Sequence, residues 1–371
     1  MKKRIISILI VLAMIACLPV CISCKKEKPV SATFPISREA EFGLVNILAT
    51  DEEFGVLKAE YGDSFTVQFS NGYTLTSIPF FDGYYRKYGQ PLIVDYPGYE
   101  HIVIGLCNAG SLWDAAKCSE GDTVTITLEE RQKYRDQQDT LSMIYSNDRN
   151  DYSSDEEFAN FRSLSGGNLK TDTFFRGASP FNDQNNRVST ASALLERHGI
   201  RFILDLADSS DKLESYGVSN YATGLYDEGH VATPGLSANY QADSYKSNLA
   251  DGFRKMMTEE GPYYVNCTEG KDRTGFVCIL LEALAGATYA EIEKDYMLSY
   301  ANYYGVTEAT DYTKYLIISS LKLGDMLQYL ADLTENDDLT NVDYSIYARN
   351  YLISSGMTND EVDSLVALLT K

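Results

Sequence analysis

The chain has 371 residues, 44% of them hydrophobic, which is length and apolar content enough for two domains with ordinary cores. With 53 Asp and Glu against 32 Lys and Arg the formal net charge is −21, and so acidic a surface excludes a nucleic acid as the partner, because phosphate backbones demand Lys and Arg. Of seven cysteines, the four that follow the amino-terminal segment, Cys107, Cys118, Cys267 and Cys278, form no CxxC pair, and the three histidines form no cluster, so neither a metal site nor a cofactor is expected.

The amino terminus reads as a leader. Lys2, Lys3 and Arg4 make a positive head, and Ile5 to Cys17 is an apolar run too short to cross a bilayer comfortably. Ser23-Cys24, followed at once by Lys25-Lys26-Glu27-Lys28, resembles the lipobox of bacterial lipoproteins, with Cys21 where a leucine is usual; Cys17 after Ala16 is a second candidate. Residues 1–23 are thus expected to be a signal peptide, and its removal takes the net charge from −21 to −24. A lipid on Cys24 would anchor an exported protein to the bacterial cell envelope, on its periplasmic or surface side. A cleaved leader without lipid and an uncleaved anchor are the other readings, and all of them export the chain.

Residues 24–33 have the composition of a tether. From 34 to 130 the pattern is β, predicting a small all-β barrel or sandwich. Phe65 to Phe69 alternates, Asn71-Gly72 follows, and Tyr73 to Thr76 alternates again, which is a hairpin signature. Pro91 to Asp95, His101 to Leu106 and Thr123 to Leu128 supply further strands. Cys107 and Cys118 fit either a disulfide or two buried thiols. Phe42-Gly43 with Asn46-Ile47, the strand openers Gly62-Asp63 and Gly121-Asp122, and Gly105 to Gly110 resemble the C-terminal β-barrel of S-adenosylmethionine hydroxide adenosyltransferases. That resemblance implies a fold and no activity.

Residues 131–158 are polar and acidic, a linker ending in a helix start. From 159 to 371 strands and helices alternate. Thr173 to Arg176 is a short strand, Thr190 to Arg197 a helix, and Ile200 to Leu206 a buried parallel strand carrying Asp205 near its end. Asp243 to Glu259 is amphipathic, Tyr263 to Asn266 is a strand, and Thr274 to Ala285 is an apolar helix. Thr288 with Glu291 and Thr358 with Glu361 are capping boxes. Such alternation gives a parallel sheet with helices on both faces, whose ligands bind at the carboxyl ends of the strands.

At one such end stands Cys267-Thr268-Glu269-Gly270-Lys271-Asp272-Arg273-Thr274-Gly275. A turn between a strand and a helix points successive N–H groups into one concavity and binds anions, phosphate above all. A free thiol titrates near pH 8.5, and N–H groups with an arginine favour its thiolate. Arg273 offers a fork for two phosphate oxygens. Gly270 permits close backbone approach and Gly275 close helix packing. Thr268, Glu269, Lys271 and Thr274 complete the phosphate cradle, and the Thr274 hydroxyl is placed to donate to sulfur. Asn266 and Asp205 are supporting residues, Asp205 serving either as an anchor for loop N–H groups or as an acid. Asp272, Asp205, Asp227 and Asp243 are the candidate proton donors. Arg176 fits a contact to the phosphate rim or a surface ion pair.

The Cys-x-x-Gly-Lys-Asp-Arg-Thr-Gly run resembles the phosphate loop of the bacterial protein-tyrosine/serine phosphatase family, within the cysteine phosphatase (CX5R) superfamily. Asn160-Phe161-Arg162 with Leu164 and Gly166-Gly167, Phe175 to Ser179, Asp205-Leu206 and Asp295 to Ser299 match its other motifs. The resemblance spans roughly 155–371. It implies a parallel-sheet cysteine phosphatase fold behind the β-domain, Asp272 as general acid, and Lys271 as a contact for a phosphoinositide headgroup. The family has histidine where this chain has Asn266, and Ala207, Ser163 and Ser165 also depart from its pattern. Glu269 adds a negative charge to the rim, which counts against a polyphosphorylated substrate. The expected function is an exported phosphomonoesterase that hydrolyses phosphotyrosine or phosphoserine proteins, or phosphorylated inositols, through a phosphocysteine. The alternative is a weak or inactive phosphatase-fold module that binds phospho-ligands at the cell surface.

Overall fold

The computed structural model describes residues 29–371. The expected leader and Cys24 lie outside them. Among the described residues no helix is long and apolar enough to cross a membrane.

The first half is a closed barrel of β1 (Ser31–Arg38), β2 (Val45–Ile47), β3 (Ser64–Phe69), β4 (Thr74–Phe81), β5 (Pro91–Val94), β6 (Val103–Leu106) and β7 (Thr123–Glu130). They close in the order β1-β2-β6-β5-β4-β3-β7. Alternation turns Phe65, Val67 and Phe69 inward onto Val124 and Ile126. The Asn71-Gly72 hairpin forms as expected, with Gln68 opposite Thr74 and Gly72 at φ +92°. β1 begins earlier than expected: Ser31 to Thr33 pair with Thr127 to Thr125, so the end of the presumed tether is a barrel strand. The pairing gives its backbone ladder partners, which composition alone does not reveal. Cys107 and Cys118 are free and buried. They sit in different apolar clusters, Cys107 with Phe81 and Leu92, Cys118 with Leu112 and Trp113.

The second half holds β8 (Arg162–Ser163), β9 (Phe174–Gly177), β10 (Phe202–Asp205), β11 (Val231–Ala232) and β12 (Tyr263–Asn266), in the order β11-β10-β12-β9-β8. All neighbours are parallel except β8, an antiparallel edge. Successive side chains supply two cores. Phe174, Phe202, Leu204, Tyr263 and Val265 face the helices Asp243–Met257 and Asp272–Leu284. Phe175, Ile203 and Tyr264 face the helix Val188–Arg197. Helices therefore cover both faces, as the sequence predicts, and burying each large apolar side chain contributes about 1.5–3 kcal/mol. Both capping boxes are present, at Thr288 and Thr358.

The stretch 131–158 is more than a linker. It contains the helix Arg135–Leu141 and delivers Tyr145 to the phosphate loop, where the Arg187 guanidinium lies 4.9 Å from its ring centroid.

Candidate active site

Central strand β12 ends at Asn266, and the helix Asp272–Leu284 begins after a five-residue loop. The loop between them is fixed from outside by its carbonyls. Thr268 O accepts from Ser179 N (3.1 Å) and Glu269 O from the Tyr303 hydroxyl (2.6 Å). Gly270 O accepts from Asn160 Nδ2 (3.1 Å) and Arg176 Nη2 (2.9 Å). A peptide unit points its N–H opposite to its carbonyl, so these outward carbonyls turn the N–H groups inward. Among the described residues none of the N–H groups from Thr268 to Arg273 has a protein partner. The result is the anion nest expected from sequence, at the positive end of a helix dipole.

Gly270 lies at φ +66°, and a Cβ there would stand 2.1 Å from Gly177 O. At Gly275 a Cβ would meet the Tyr296 ring at 2.8 Å, which confirms the close helix packing expected there.

Beneath the loop is a buried charge network. Asp295 bridges Arg162 Nε (2.6 Å) and Arg176 Nη1 (2.5 Å), and Arg162 also bonds Asn160 Oδ1 (2.7 Å) and Ser299 Oγ (3.0 Å). Burial works against the Asp295 charge, yet the two arginines hold its carboxyl below the usual aspartate range. Arg176 thus does neither of the things expected of it. It is wholly buried and supports Gly270 from below. Its Nε has no partner, but a buried arginine is tolerated when its charge is paired, and removing that partner is what costs most.

Asp205 also proves to be an anchor. It is fully buried and accepts from Ala207 N (3.0 Å), Asp208 N (3.2 Å) and Asn266 Nδ2 (2.9 Å). Burial and the nearby Asp208 push its carboxyl up to about 6, against the pull of those donors. Asn266 Oδ1 is buried without a partner. A protonated Asp205 can donate to that oxygen if the amide turns over, so proton and amide orientation are linked.

Cys267 is buried at the mouth of the nest, 3% exposed. Arg273 Nη1 donates to Leu236 O (3.1 Å) and Nη2 to Thr268 Oγ1 (3.4 Å). The Thr274 hydroxyl is buried and unpartnered. Asp272, the first residue of the helix, has a side chain 59% exposed on the rim. Of the other carboxylates considered as acids, Asp205 is tied up below the loop, and Asp227 and Asp243 are exposed helix-end residues. Cys278 is core, its thiol pushed up to about 12 by burial.

The rim charges differ from expectation. Glu269 is held by the Tyr145 hydroxyl (2.7 Å) and by Lys271 Nζ (2.8 Å). Its negative charge is therefore balanced inside the protein. Lys271 also donates to the Tyr304 hydroxyl (3.1 Å) and lies over the Tyr300 and Tyr304 rings. Burial opposes its charge, but Asp272 and Glu269 outweigh burial and keep the ammonium protonated well above the ordinary lysine value.

Sequence reasoning missed the tyrosines. Tyr145, Tyr303 and Tyr304 come from two distant segments and meet only in the fold. The adjacent pair Tyr303-Tyr304, following the matched helix motif, was the available signal. Tyr245 was missed too. Its hydroxyl is buried without a partner, and burial, then the nearby Cys267 charge, raise its phenol above the usual range.

The sequence pattern of the Tyrosine phosphatase family matches residues 155–371. A comparison with curated proteins returns no match. Among solved structures, the core catalytic domain of the PP-IP phosphatase SIW14 from S. cerevisiae, in complex with citrate, is 17% identical, with a TM-score of 0.27; the match covers 46% of this chain and 95% of that one. A Siw14 catalytic core is 15% identical over 47% of this chain and 89% of its own, with a TM-score of 0.28. An uncharacterized conserved protein from Thermotoga maritima is 19% identical with a TM-score of 0.22, over 27% of this chain and 38% of that one. Scores this low carry nothing about the chemistry of this chain.

Proposed function

The chain belongs to the tyrosine phosphatase family and is a phosphoric monoester hydrolase; from that premise we propose that it works through a phosphocysteine on Cys267. The thiolate attacks phosphorus, the bond from phosphorus to the leaving oxygen breaks, and Asp272 gives that oxygen its proton. Water then attacks the phosphocysteine and loses its proton to Asp272, while the sulfur–phosphorus bond breaks. The Thr274 hydroxyl donates to the departing sulfur. The inward N–H groups hold three phosphate oxygens, and Arg273 exchanges Leu236 O for two of them as charge builds in the transition state. The observation that carries this reading is the loop itself, with the Thr268, Glu269 and Gly270 carbonyls anchored and, among the described residues, no protein partner for the N–H groups from Thr268 to Arg273.

The proposed substrate is a phosphotyrosine or phosphoserine protein or a phosphorylated inositol. The proposed location is the cell envelope after export, with a lipid on Cys24. Vanadate-sensitive, chelator-resistant release of phosphate from p-nitrophenyl phosphate, lost in Cys267→Ser by about 10⁴-fold or more, tests the mechanism. Retention of activity in that variant contradicts it. For the anchor, Cys24→Ser should move the protein from the membrane fraction to the soluble one, and an unchanged distribution excludes it.

A further inference from the structure

The barrel takes no part in the chemistry described so far, yet its β4–β5 connection stands over the phosphate loop. A cleft of about 620 Å³ is lined by Asp272, Arg273 and Tyr245 of the phosphatase half, by Tyr85 and Arg86 of that connection, and by Lys322. The connection is fastened in place. Tyr88 N donates to Asp325 Oδ2 (3.2 Å), which also accepts from the Tyr240 hydroxyl (3.1 Å), and Lys87 Nζ donates to Gln328 Oε1 (3.1 Å). Gln137 holds the Tyr85 carbonyl, and the Tyr134 ring lies 5.4 Å from the Arg86 guanidinium. Lys322 sits on a π turn, Ser319–Leu323, set into the helix that continues as Gly324–Ala331. Such turns are frequent at functional sites.

Arg86 and Lys322 stand apart from the other basic residues near the site. Arg86 Nε is buried and has no partner. Among the described residues neither side chain forms an ion pair or donates a hydrogen bond, although the chain has 53 acidic residues against 32 basic ones. Both line the same cleft as Arg273, and Asp325, the carboxylate that Lys322 also stabilises, is already hydrogen-bonded by Tyr88 and Tyr240. Two cations without an ion pair of hydrogen-bond length, in the same cleft as Arg273, are the complement of a substrate with a second anion.

We propose that the barrel completes the active-site cleft, and that Arg86 and Lys322 form a subsite for a second phosphate of a small phosphomonoester that carries at least two. The subsite rests on the phosphocysteine reading only for which phosphate is cleaved. It also supplies the positive charge that Lys271, engaged with Glu269, does not offer.

Calorimetric binding of an inositol monophosphate and an inositol bisphosphate to the full-length Cys267→Ser protein tests this. The bisphosphate should bind at least about tenfold more tightly, as for a hydrogen bond to a charged group. Adding Arg86→Gln or Lys322→Gln should bring that ratio close to one while leaving monophosphate binding and the melting temperature unchanged. Lys322→Gln, outside the barrel, keeps the test valid should Arg86→Gln unfold. Equal binding of the two ligands, or a ratio that survives Lys322→Gln, overturns the subsite. Turnover of p-nitrophenyl phosphate by the wild type is the separate check on Cys267: a preserved ratio without turnover sinks the phosphocysteine and keeps the subsite, and turnover without the ratio does the reverse.

Discussion

The phosphate loop and the barrel wall face one cleft and handle charge in opposite ways. In the loop every cation already has a protein partner: Lys271 holds Glu269, and Arg273 holds Leu236 O. Across the cleft Arg86 meets only the Tyr134 ring, and among the described residues neither it nor Lys322 forms an ion pair or donates a side-chain hydrogen bond. A paired cation is positioned before substrate arrives and loses little freedom on binding. An unpaired one offers its whole charge to whichever anion enters. The loop is therefore built for geometry, and the wall for selecting what accompanies the reacting phosphate.

The strongest way to break the comparison is to disturb the loop backbone. Gly270→Ala forces a Cβ against Gly177 O at a positive φ. It should cost about 3 kcal/mol in denaturant unfolding and remove phosphate release altogether. Normal activity in a stable Gly270→Ala protein would show that the loop is not fixed from below. Next in size is Asp272→Asn, expected to slow hydrolysis of phosphotyrosine by about 10²-fold. The loss should be smaller for p-nitrophenyl phosphate, whose phenolate leaves without help. Equal losses on both substrates would remove Asp272 as the acid.

Much of the loop was legible in the sequence, because its chemistry depends on residues close together in the chain. Cys267, Gly270, Arg273 and Gly275 stand where the motif put them, and the flanking strand and helix follow from their apolar patterning. What lay hidden depends on distant pairs. No local pattern says that Arg176 meets Asp295, 119 residues away, or that Tyr145 reaches Glu269, 124 away. The polar stretch 131–158 reads as a linker because the partners of its side chains, Glu269 for Tyr145 and the Tyr85 carbonyl for Gln137, lie in other segments. The barrel strands were visible as alternation, but their place over the cleft was not.

Asn266 gives two smaller effects. Asn266→His should face the Asp205 carboxylate and raise the rate of Cys267 alkylation by iodoacetamide by about tenfold; an unchanged rate means that the Asn266 amide already serves the thiol fully. Asp205 also links this pair to pH. Its folded value of about 6 lies above the 3.8 of a free aspartate, so between them the native state keeps a proton the unfolded chain has lost. Its contribution to stability is full below 3.8 and is lost as pH rises through about 6. The melting temperature of the wild type relative to Asp205→Asn should accordingly fall between about pH 4 and about pH 6 and level off above that. A difference that rises or stays level would mean Asp205 is buried as a carboxylate throughout.

The covalent step can be observed directly. Wild-type protein mixed with p-nitrophenyl phosphate, quenched in acid within one turnover and digested, should yield a phosphate adduct on the peptide that contains Cys267. An adduct on another residue, or rapid turnover with no adduct on that peptide, would contradict a phosphocysteine at the head of the loop.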